Sequence, residues 1–447
     1  MTPFFPEVGK PIPFHGPSSR EPLAFKYYDR DRKVGNRTME RHLKFAVAYW
    51  HTFKGGGQDP FGPDPVYDRP WNHAPTDIEV AVRTLNAAFE FFTKLGVRYY
   101  CFHDRDIAPE GRSIAESNEY LEEIVQLARI RQRETGVKLL WGTANLFGHP
   151  RYTHGAATNP DPRVFAHAAA QVRRAIDATI ALGGTGYVFW GGREGYTSLI
   201  NTDMRREREQ MAAFLRLAVD YARRQGFKGK FFLEPKAKEP SVHQYDFDCG
   251  HCLNFLREFD LMDDFLLNVE ANHATLATHS FEHELATAAG AGMLGSVDIN
   301  RGLEGVGWDT DNFAMSLREC VLALLIIRGQ GGLRWGGLNF DAKVRRGSFD
   351  TVDLFYAHVA SMDIFAKALL IVERIRKDGV LGLAGKRIRQ RYAGYRRGLG
   401  RKALAGDTTL EELEQWAGSL GEPPKTSGRQ EELESILNDY LYSTRIE

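Results

Sequence analysis

The sequence alternates apolar runs with amphipathic segments eight times, and this repeat limits the possible folds more than any other feature. The candidate strands are Phe45–Trp50, Val97–His103, Val137–Thr143, Gly186–Trp190, Lys230–Glu234, Phe265–Glu270, Met293–Asp298 and Leu333–Asp341. Helical patterns cover Asp77–Leu95, Glu119–Thr135, Pro160–Leu182, Asp203–Gln225, Gln244–Phe259, Phe281–Ala289, Thr310–Arg328 and Asp350–Lys377. Eight strands alternating with eight helices predict an α/β fold, a (β/α)8 TIM barrel. A doubly wound open sheet normally has fewer strands, and no Gly-x-Gly-x-x-Gly follows the first one.

The repeat divides the chain into three parts. Residues 1–44 are rich in proline and charge without a sustained period, which predicts an N-terminal extension packed on the barrel. Residues 45–378 form the predicted barrel, and residues 379–447 are predicted to form an arm of short helices. A tail that does not close its own core usually lies on a neighbouring subunit, so we expect an oligomer.

The charge balance excludes partners that are selected by bulk electrostatics. Lys and Arg total 58, as do Asp and Glu, so the formal net charge is zero. We therefore expect neither nucleic acid nor an anionic membrane as a partner. The basic run 386–402 is interpreted as a solvated or subunit-facing surface, because no aromatic stacking platform accompanies it. No signal-peptide pattern and only four cysteines indicate a reducing cytoplasm.

Acidic side chains and one imidazole gather where the predicted strands end, which is where barrel enzymes carry their chemistry. They are Glu234, Glu270, His273, Asp298, Asp309, Asp311 and Asp341. Bare carboxylates in one cleft would repel one another, and divalent cations are the usual remedy. The ligands exceed the number that one octahedral ion takes from protein, so we predict two cations. Oxygen donors with one imidazole suit Mg²⁺, Mn²⁺ or Co²⁺.

Two further motifs at the strand ends suggest proton transfer and substrate binding. His103 is followed three residues later by Asp106, which could hold the imidazole in one tautomer as an acid or base. Lys236 lies two residues after Glu234, so both point to one side and the ammonium could donate to a substrate oxygen.

Aromatic residues near the strand ends could form a dry wall around the predicted site. Trp50, Phe147 and Trp190 are the candidates, and Phe61 lies on a long Gly- and Pro-rich loop of the kind that often reaches a partner. A single Cys-x-x-Cys, Cys249–Cys252, lies in a predicted helix without a second pair and is given no metal or redox role.

Taken together, these motifs resemble the xylose isomerase family, specifically its longer, class II branch. The resemblance runs from about residue 4 to residue 440. The matching segments are Phe102–Asp106, Leu233–Lys236, Val269–His273, Val297–Asn300, Gly307–Asp311, Leu338–Asp341 and Asp59–Gly62. It implies a barrel enzyme, usually a homotetramer, that interconverts D-xylose with D-xylulose and D-glucose with D-fructose. The implied reaction is ring opening followed by a metal-assisted 1,2-hydride shift.

The resemblance also implies roles for individual residues. Two divalent cations per subunit would share Glu270 as a bridge. The structural ion would be held by Glu234, Glu270, Asp298 and Asp341, and the catalytic ion by Glu270, His273, Asp309 and Asp311. His103, oriented by Asp106, would assist ring opening, and Lys236 would hydrogen-bond the sugar O1. Around the sugar would lie Thr143, Trp50, Phe147 and Trp190, together with Phe61 from a neighbouring subunit.

Two alternatives remain compatible with a barrel of this kind. A metal-dependent phosphodiesterase resembling apurinic endonucleases would need more histidines at the strand ends and a basic groove, which the neutral charge does not favour. A sugar-binding module without catalysis would need neither His103 with Asp106 nor two metals.

Overall fold

The structure is a computed structural model, and it describes residues 3–62, 64–381 and 385–443. Eight parallel strands close into a barrel in chain order, and the last strand pairs with the first. They are β1 (Phe45–Ala48), β2 (Tyr99–His103), β3 (Lys138–Thr143), β4 (Gly186–Trp190), β5 (Lys230–Glu234), β6 (Phe265–Glu270), β7 (Leu294–Asp298) and β8 (Leu338–Phe340). The predicted (β/α)8 barrel is therefore confirmed.

Each strand is followed by a helix that packs on the outside of the barrel. These helices are α1 (Asp77–Leu95), α2 (Ile114–Thr135), α3 (Pro162–Ala181), α4 (Met204–Arg224), α5 (Cys249–Glu258), α6 (Phe281–Gly290), α7 (Leu317–Gly329) and α8 (Asp353–Asp378). Six of them begin at a different residue from the predicted one. In the three helices whose start differs by five residues or more, a cap side chain accepts a hydrogen bond from a backbone N–H of the first turn. The caps are Ser113 for α2, Asp248 for α5 and Ser316 for α7.

Five strand predictions were too long, three of them by only one or two residues at the start of the strand. The segment predicted from Leu333 becomes a strand only at Leu338, because Gly336 and Gly337 lie so close to Ser296 and to the Lys44 carbonyl that a Cβ would clash. The first strand ends at Ala48, and Trp50–Lys54 forms a π-helical turn instead. The turn carries Trp50 over the mouth of the barrel.

The N-terminal segment packs on the helices of the barrel. A short hairpin, Lys33–Val34 with Arg37–Thr38, leads into a helix at Met39–Leu43. Phe5 is fully buried, and its ring contacts Phe91 of α1 and Phe355 of α8. Hydrophobic burial therefore attaches this segment to the outside of the barrel.

Beyond α8 the described chain forms a helical arm. Its helices are Lys386–Arg391, Gly398–Ala405, Leu410–Leu420 and Gln430–Tyr442. Leu437 and Leu441 are buried against the barrel, whereas Leu410 is 82% exposed. Among the helices in the described residues, α8 is long and apolar enough to cross a membrane, but 61% of its most apolar window is buried inside the protein, as in the core helix of a globular fold.

Strand register brings the polar strand ends together. Glu270 of β6 pairs with Asp298 of β7, and Asp298 pairs with Asn339 of β8. On the other side of the barrel Trp190 of β4 pairs with Glu234 of β5. Because all eight strands are parallel, these side chains share one end of the barrel, the carboxyl end.

Candidate active site

A cavity of ≈ 160 Å³ opens at the carboxyl end of the barrel. It is lined by Trp50, His51, His103, Trp141, Thr143, Phe147, Val188, Trp190, Glu234, Lys236, Glu270, His273, Asp309, Asp311 and Asp341. Of the site residues predicted from the sequence, only Asp106, Asp298 and Phe61 are not on this wall. Residues separated by nearly 300 positions in the chain therefore meet in one pocket.

The first group of acids lies at the carboxyl ends of β5 to β8, and three of its four members line the cavity. One carboxylate oxygen from each of Glu234, Glu270, Asp298 and Asp341 lies within 4.8 Å of the others, and all four residues are buried. The amide of Asn268 orients two of these acids: its Nδ2 donates to Glu234 Oε2 at 2.7 Å and to Asp298 Oδ2 at 2.8 Å. The other oxygen of Asp298, Oδ1, accepts a 2.9 Å hydrogen bond from Asn339 Nδ2, so neutral amides orient these acids.

The second group shares Glu270 with the first. Carboxylate oxygens of Glu270, Asp309 and Asp311 lie within 4.8 Å of one another. The His273 ring is fixed by a 2.9 Å hydrogen bond between Nδ1 and the Pro235 carbonyl. Since a carbonyl only accepts, Nδ1 carries the hydrogen and Nε2 presents its lone pair, 3.2 Å from Glu270 Oε2 and 3.3 Å from Asp309 Oδ2.

The pKa shifts of these acids fit carboxylates whose negative charge is balanced by bound cations. Burial raises the pKa of Glu234, Glu270 and Asp298 well above the ordinary range, and neighbouring carboxylates raise it further. Asp309 Oδ1 is buried and has no hydrogen-bond partner among the described residues. Four carboxylates in one set, and three with an imidazole in the other, are hard donors of the kind that Mg²⁺ and Mn²⁺ prefer. The residues present therefore fit two divalent cations.

Lys236 contributes a positive charge from the protein itself to the site. Its ammonium forms an ion pair with Asp309, lies 3.4 Å from Glu239 Oε2, and lies over the Trp190 ring at 5.3 Å. Burial alone would raise the pKa of Asp309, but the Lys236 ammonium outweighs it and holds this pKa well below the ordinary range. Lys236 stays charged, because Asp309 and Glu270 raise its pKa against the effect of burial.

His103 and Asp106 form a separate pair on the opposite wall. Asp106 follows β2 in a helical turn, Asp104–Ile107, and its Oδ2 lies 2.7 Å from His103 Nδ1. A carboxylate only accepts, so Nδ1 carries the hydrogen and Nε2 is left to exchange a proton. The imidazole packs edge-on against Trp50 at 4.5 Å and against Phe147 at 5.5 Å. Aromatic rings thus shield the imidazole from bulk water.

The structure adds polar residues that the sequence prediction did not assign. His51 Nε2 lies 3.1 Å from Asp311 Oδ2 and 3.0 Å from Asp341 Oδ1. Burial lowers its pKa, but these two carboxylates raise it to about 9. Asn300 Nδ2 donates to Glu270 Oε1 and to the Asp341 carbonyl, both at 2.7 Å. Asn300 follows the end of β7 by two residues, and this spacing was the available signal in the sequence.

Phe61 does not line the cavity of its own chain. The ring is 84% exposed and packs edge-on against Trp308, with the ring centroids 5.9 Å apart. Its loop is held by Arg346, whose guanidinium donates to the carbonyls of Gly57 and Gly62. The side chain therefore contacts Trp308 on one edge and is otherwise exposed to solvent in a single chain.

Asp246, a buried acid next to the end of β4, makes the stability of the fold depend on pH. Asp246 Oδ2 accepts a hydrogen bond from the Gly191 N–H at 3.0 Å, and burial raises the Asp246 pKa to about 7. A carboxyl group whose pKa is raised in the folded state costs stability once it must ionise, so the penalty grows from about pH 4 to pH 7. Asp246→Asn should therefore raise the free energy of unfolding by roughly 2–4 kcal/mol at pH 8.

Denaturant titrations at two pH values check this prediction. The gain from Asp246→Asn should disappear at pH 4, where the carboxyl group is neutral in the folded protein and much of the unfolded-state charge is also lost. Asp220→Asn on the exposed face of α4 is the matched control and should change stability at neither pH. An equal gain at both pH values would contradict the role of ionisation.

Comparisons with known proteins agree with this geometry. Residues 90–314 match the family model described as xylose isomerase-like TIM barrel, and residues 388–441 match the XylA2 C-terminal domain. Xylose isomerase 2 of Xanthomonas campestris pv. campestris (strain 8004) is 54% identical, over 98% of this chain and 97% of that protein. Xylose isomerase of Thermotoga neapolitana is 50% identical over the full length of both. A solved D-psicose 3-epimerase shares the fold, with a TM-score of 0.50, 14% identity, and coverage of 73% of this chain and 99% of that one. The chain belongs to the xylose isomerase family.

Proposed function

We propose that this protein is an aldose–ketose isomerase that converts D-xylose to D-xylulose, and D-glucose to D-fructose. The observation that carries this proposal is the pair of buried donor groups that share Glu270, facing a cavity with His103 and Lys236 on its other walls. The family and the enzyme class follow from the full-length relatives named xylose isomerase. The substrate is assigned from the same relatives together with the size and chemistry of the cavity.

We assign each donor group to one divalent cation, Mg²⁺, Mn²⁺ or Co²⁺. Bound there, the two cations would act as Lewis acids on the oxygens of an open-chain sugar and so allow a 1,2-hydride shift from C2 to C1. The structural ion is assigned to Glu234, Glu270, Asp298 and Asp341. The catalytic ion is assigned to Glu270, His273, Asp309 and Asp311. Support for this division comes from the two sets of converging oxygens described above.

The protein's own side chains prepare the sugar for this shift. His103 Nε2 is available to move a proton at the anomeric oxygen, because Asp106 fixes the other ring nitrogen. The Lys236 ammonium is placed to donate to the sugar O1. Trp50, Phe147 and Trp190 exclude water, with the last two rings only 4.4 Å apart. Thr143 lines the same cavity, and its hydroxyl donates to the Val188 carbonyl at 2.6 Å.

One assay tests this function against its rivals. The protein is incubated with D-xylose and Mg²⁺ or Mn²⁺, with and without a chelator, and ketose is measured. We expect metal-dependent formation of D-xylulose and a slower conversion of D-glucose. A phosphodiesterase would instead cleave abasic DNA, and a binding module would bind sugar without turnover. In the second donor group, which lies on the described wall of the cavity, three ligands are acids and one is a histidine. A phosphodiesterase would need more histidine ligands, so this composition favours the isomerase.

We also propose that the chain is a cytoplasmic homotetramer, in which residues 379–447 contact other subunits and Phe61 reaches a neighbouring site. Leu404 and Leu420 of the arm are 73% and 55% exposed, which leaves an apolar surface without a partner in one chain. Leu404→Glu combined with Leu420→Glu should therefore lower the mass measured by light scattering. Exposed Glu434→Gln is the control. A tetramer that survives both charges would contradict the role of the arm.

A further inference from the structure

A third group of side chains that could bind a metal ion lies outside the cavity, where the chain enters α6. His279, His283 and Glu284 each offer one donor atom, and the three atoms lie within 4.8 Å of one another. His279 precedes the helix, and the other two residues belong to its first turns. None of the three lines the active-site cavity. The group is therefore separate from the carboxylates at the strand ends.

The spacing of the donor atoms suits a single tetrahedral ion. Glu284 Oε1 lies 2.8 Å from His279 Nδ1 and 4.0 Å from His283 Nε2, and the two rings are 4.8 Å apart. An ion about 2.0–2.2 Å from its ligands separates them by roughly 3.4 Å. The two measured distances lie on either side of that value. Shifts of less than about 1 Å would therefore complete the coordination.

The carboxylate is held so that one oxygen faces both imidazoles. Glu284 Oε2 accepts a 2.8 Å hydrogen bond from the backbone N–H of Cys249, at the start of α5. Its side chain is only 4% exposed, and among the described residues its ion-pair partners within 4.0 Å are His279 and His283 alone. Outer contacts of this kind commonly orient a metal ligand. A buried carboxylate facing two imidazoles and no lysine or arginine suits a cation.

The neighbouring Cys249 supplies no ligand to this group. The donor group consists of His279, His283 and Glu284, and Cys249 contacts it through the backbone N–H that donates to Glu284 Oε2. This leaves two nitrogens and one oxygen from the protein. The His283 side chain is 59% exposed, so water can reach the group and would supply a fourth ligand.

We propose that His279, His283 and Glu284 bind one transition-metal dication of the Zn²⁺ or Co²⁺ type, in addition to the two ions of the active site. Two imidazoles with one carboxylate form a donor set that zinc uses with water as the fourth ligand. Imidazole ligands favour Zn²⁺ and Co²⁺ over Mg²⁺, which takes oxygen ligands.

The ion would join three elements of the barrel rim. The His279 N–H donates to the carbonyl of Ala274, in the short helix Ala271–Leu276 that carries His273. Glu284 links the same point to α5 through Cys249. A bound ion would therefore clamp the segment after β6 against α5 and α6, and it would stabilise the folded chain in proportion to its occupancy.

Zinc counting on the intact protein tests the proposal. Chelator-stripped protein is dialysed against Zn²⁺ in the presence of excess Mg²⁺, and bound zinc is counted per chain by mass spectrometry. His283→Ala should lose one zinc per chain, with a Kd at that site weakened at least about 100-fold. Because His283 is exposed, its replacement should leave the fold intact. Thermal unfolding of the stripped variant should therefore match that of the stripped wild type.

His251→Ala is the matched control, because His251 is equally exposed and hydrogen-bonds Asp248 beside the group without belonging to it. It should keep the wild-type zinc count. Ketose formation with Mg²⁺ should stay within about twofold in both variants, since neither residue lines the cavity. A zinc count unchanged by His283→Ala, lowered equally by His251→Ala, or lost together with Mg²⁺-dependent turnover would overturn the proposal.

Discussion

Glu270→Gln should lower turnover of D-xylose by at least about a thousandfold, because the removed charge is the one that both proposed cations share. The neutral amide keeps the size of the side chain and can still accept the 2.7 Å hydrogen bond from Asn300 Nδ2. It cannot bridge two ions. Bound Mn²⁺, counted by electron paramagnetic resonance after dialysis, should fall from two ions per chain to fewer than one at a concentration that saturates the wild type.

The stability of this variant separates loss of metal from loss of fold. Burial and neighbouring acids raise the Glu270 pKa well above the ordinary range, so ionising this carboxyl costs free energy in the metal-free protein. In chelator the Tm of Glu270→Gln should therefore equal or exceed that of the wild type. On addition of Mn²⁺ the wild-type Tm should rise, because the ions bind only the folded state, and the variant Tm should not.

Glu239→Gln is the matched control for this experiment. Glu239 lies at the rim of the same site, and its Oε2 accepts a hydrogen bond from the Asp309 N–H at 3.0 Å without belonging to either donor group. Its variant should bind two Mn²⁺ and keep turnover within about tenfold. If Glu270→Gln retained both ions at wild-type affinity, the assignment of a shared bridging ligand would be wrong.

Much of the barrel could be predicted because its determinants are local. The runs Gly186–Trp190, Lys230–Glu234 and Phe265–Glu270 coincide with the observed strands, since each is mostly apolar and is followed by a change to polar residues or glycine. Helix starts were harder. The sequence pattern before α5 and α7 continues the apolar period, and only the cap hydrogen bonds of Asp248 and Ser316 decide where the helix begins.

The carboxylates could also be predicted from local sequence patterns, but the residues around them could not. Glu234, Glu270 and Asp298 end strands, so a one-dimensional reading places them at one end of the barrel. The contact of His51 with Asp311 and Asp341 joins the first strand to the last, across the seam where the barrel closes. Such contacts depend on register and on loop paths, which periodicity does not specify.

Amide side chains escaped prediction because their sequence signal is ordinary. Asn268 lies inside a buried strand, where it could equally have been a defect in an apolar run. In the fold it faces the same side as Glu270, two residues on, and donates to acids from both neighbouring strands. The need for a neutral donor becomes visible only once Glu234 and Asp298 are known to be neighbours.

His103→Gln should lower turnover by about 10²–10⁴-fold and leave both cations bound, since His103 belongs to neither donor group. Glutamine can hydrogen-bond but cannot exchange a proton near neutral pH. The proposed ring opening would then have to proceed without a base at the anomeric oxygen. The measurement is steady-state ketose formation combined with a count of bound Mn²⁺, which should remain at two per chain.

Asp106→Asn distinguishes an acid–base role of His103 from a packing role. The Asp106 carboxylate fixes the hydrogen on His103 Nδ1 through the 2.7 Å contact, whereas an amide can also donate and so permits the other tautomer. Asp106→Asn should lower turnover by a smaller factor than His103→Gln. The double variant should lose little more than His103→Gln alone, because the two residues act as a unit.

His149→Gln is the control: this imidazole lies in a loop outside the cavity, caps a short helical turn and should leave turnover unchanged. Turnover near the wild-type value in His103→Gln would show that ring opening depends on another group.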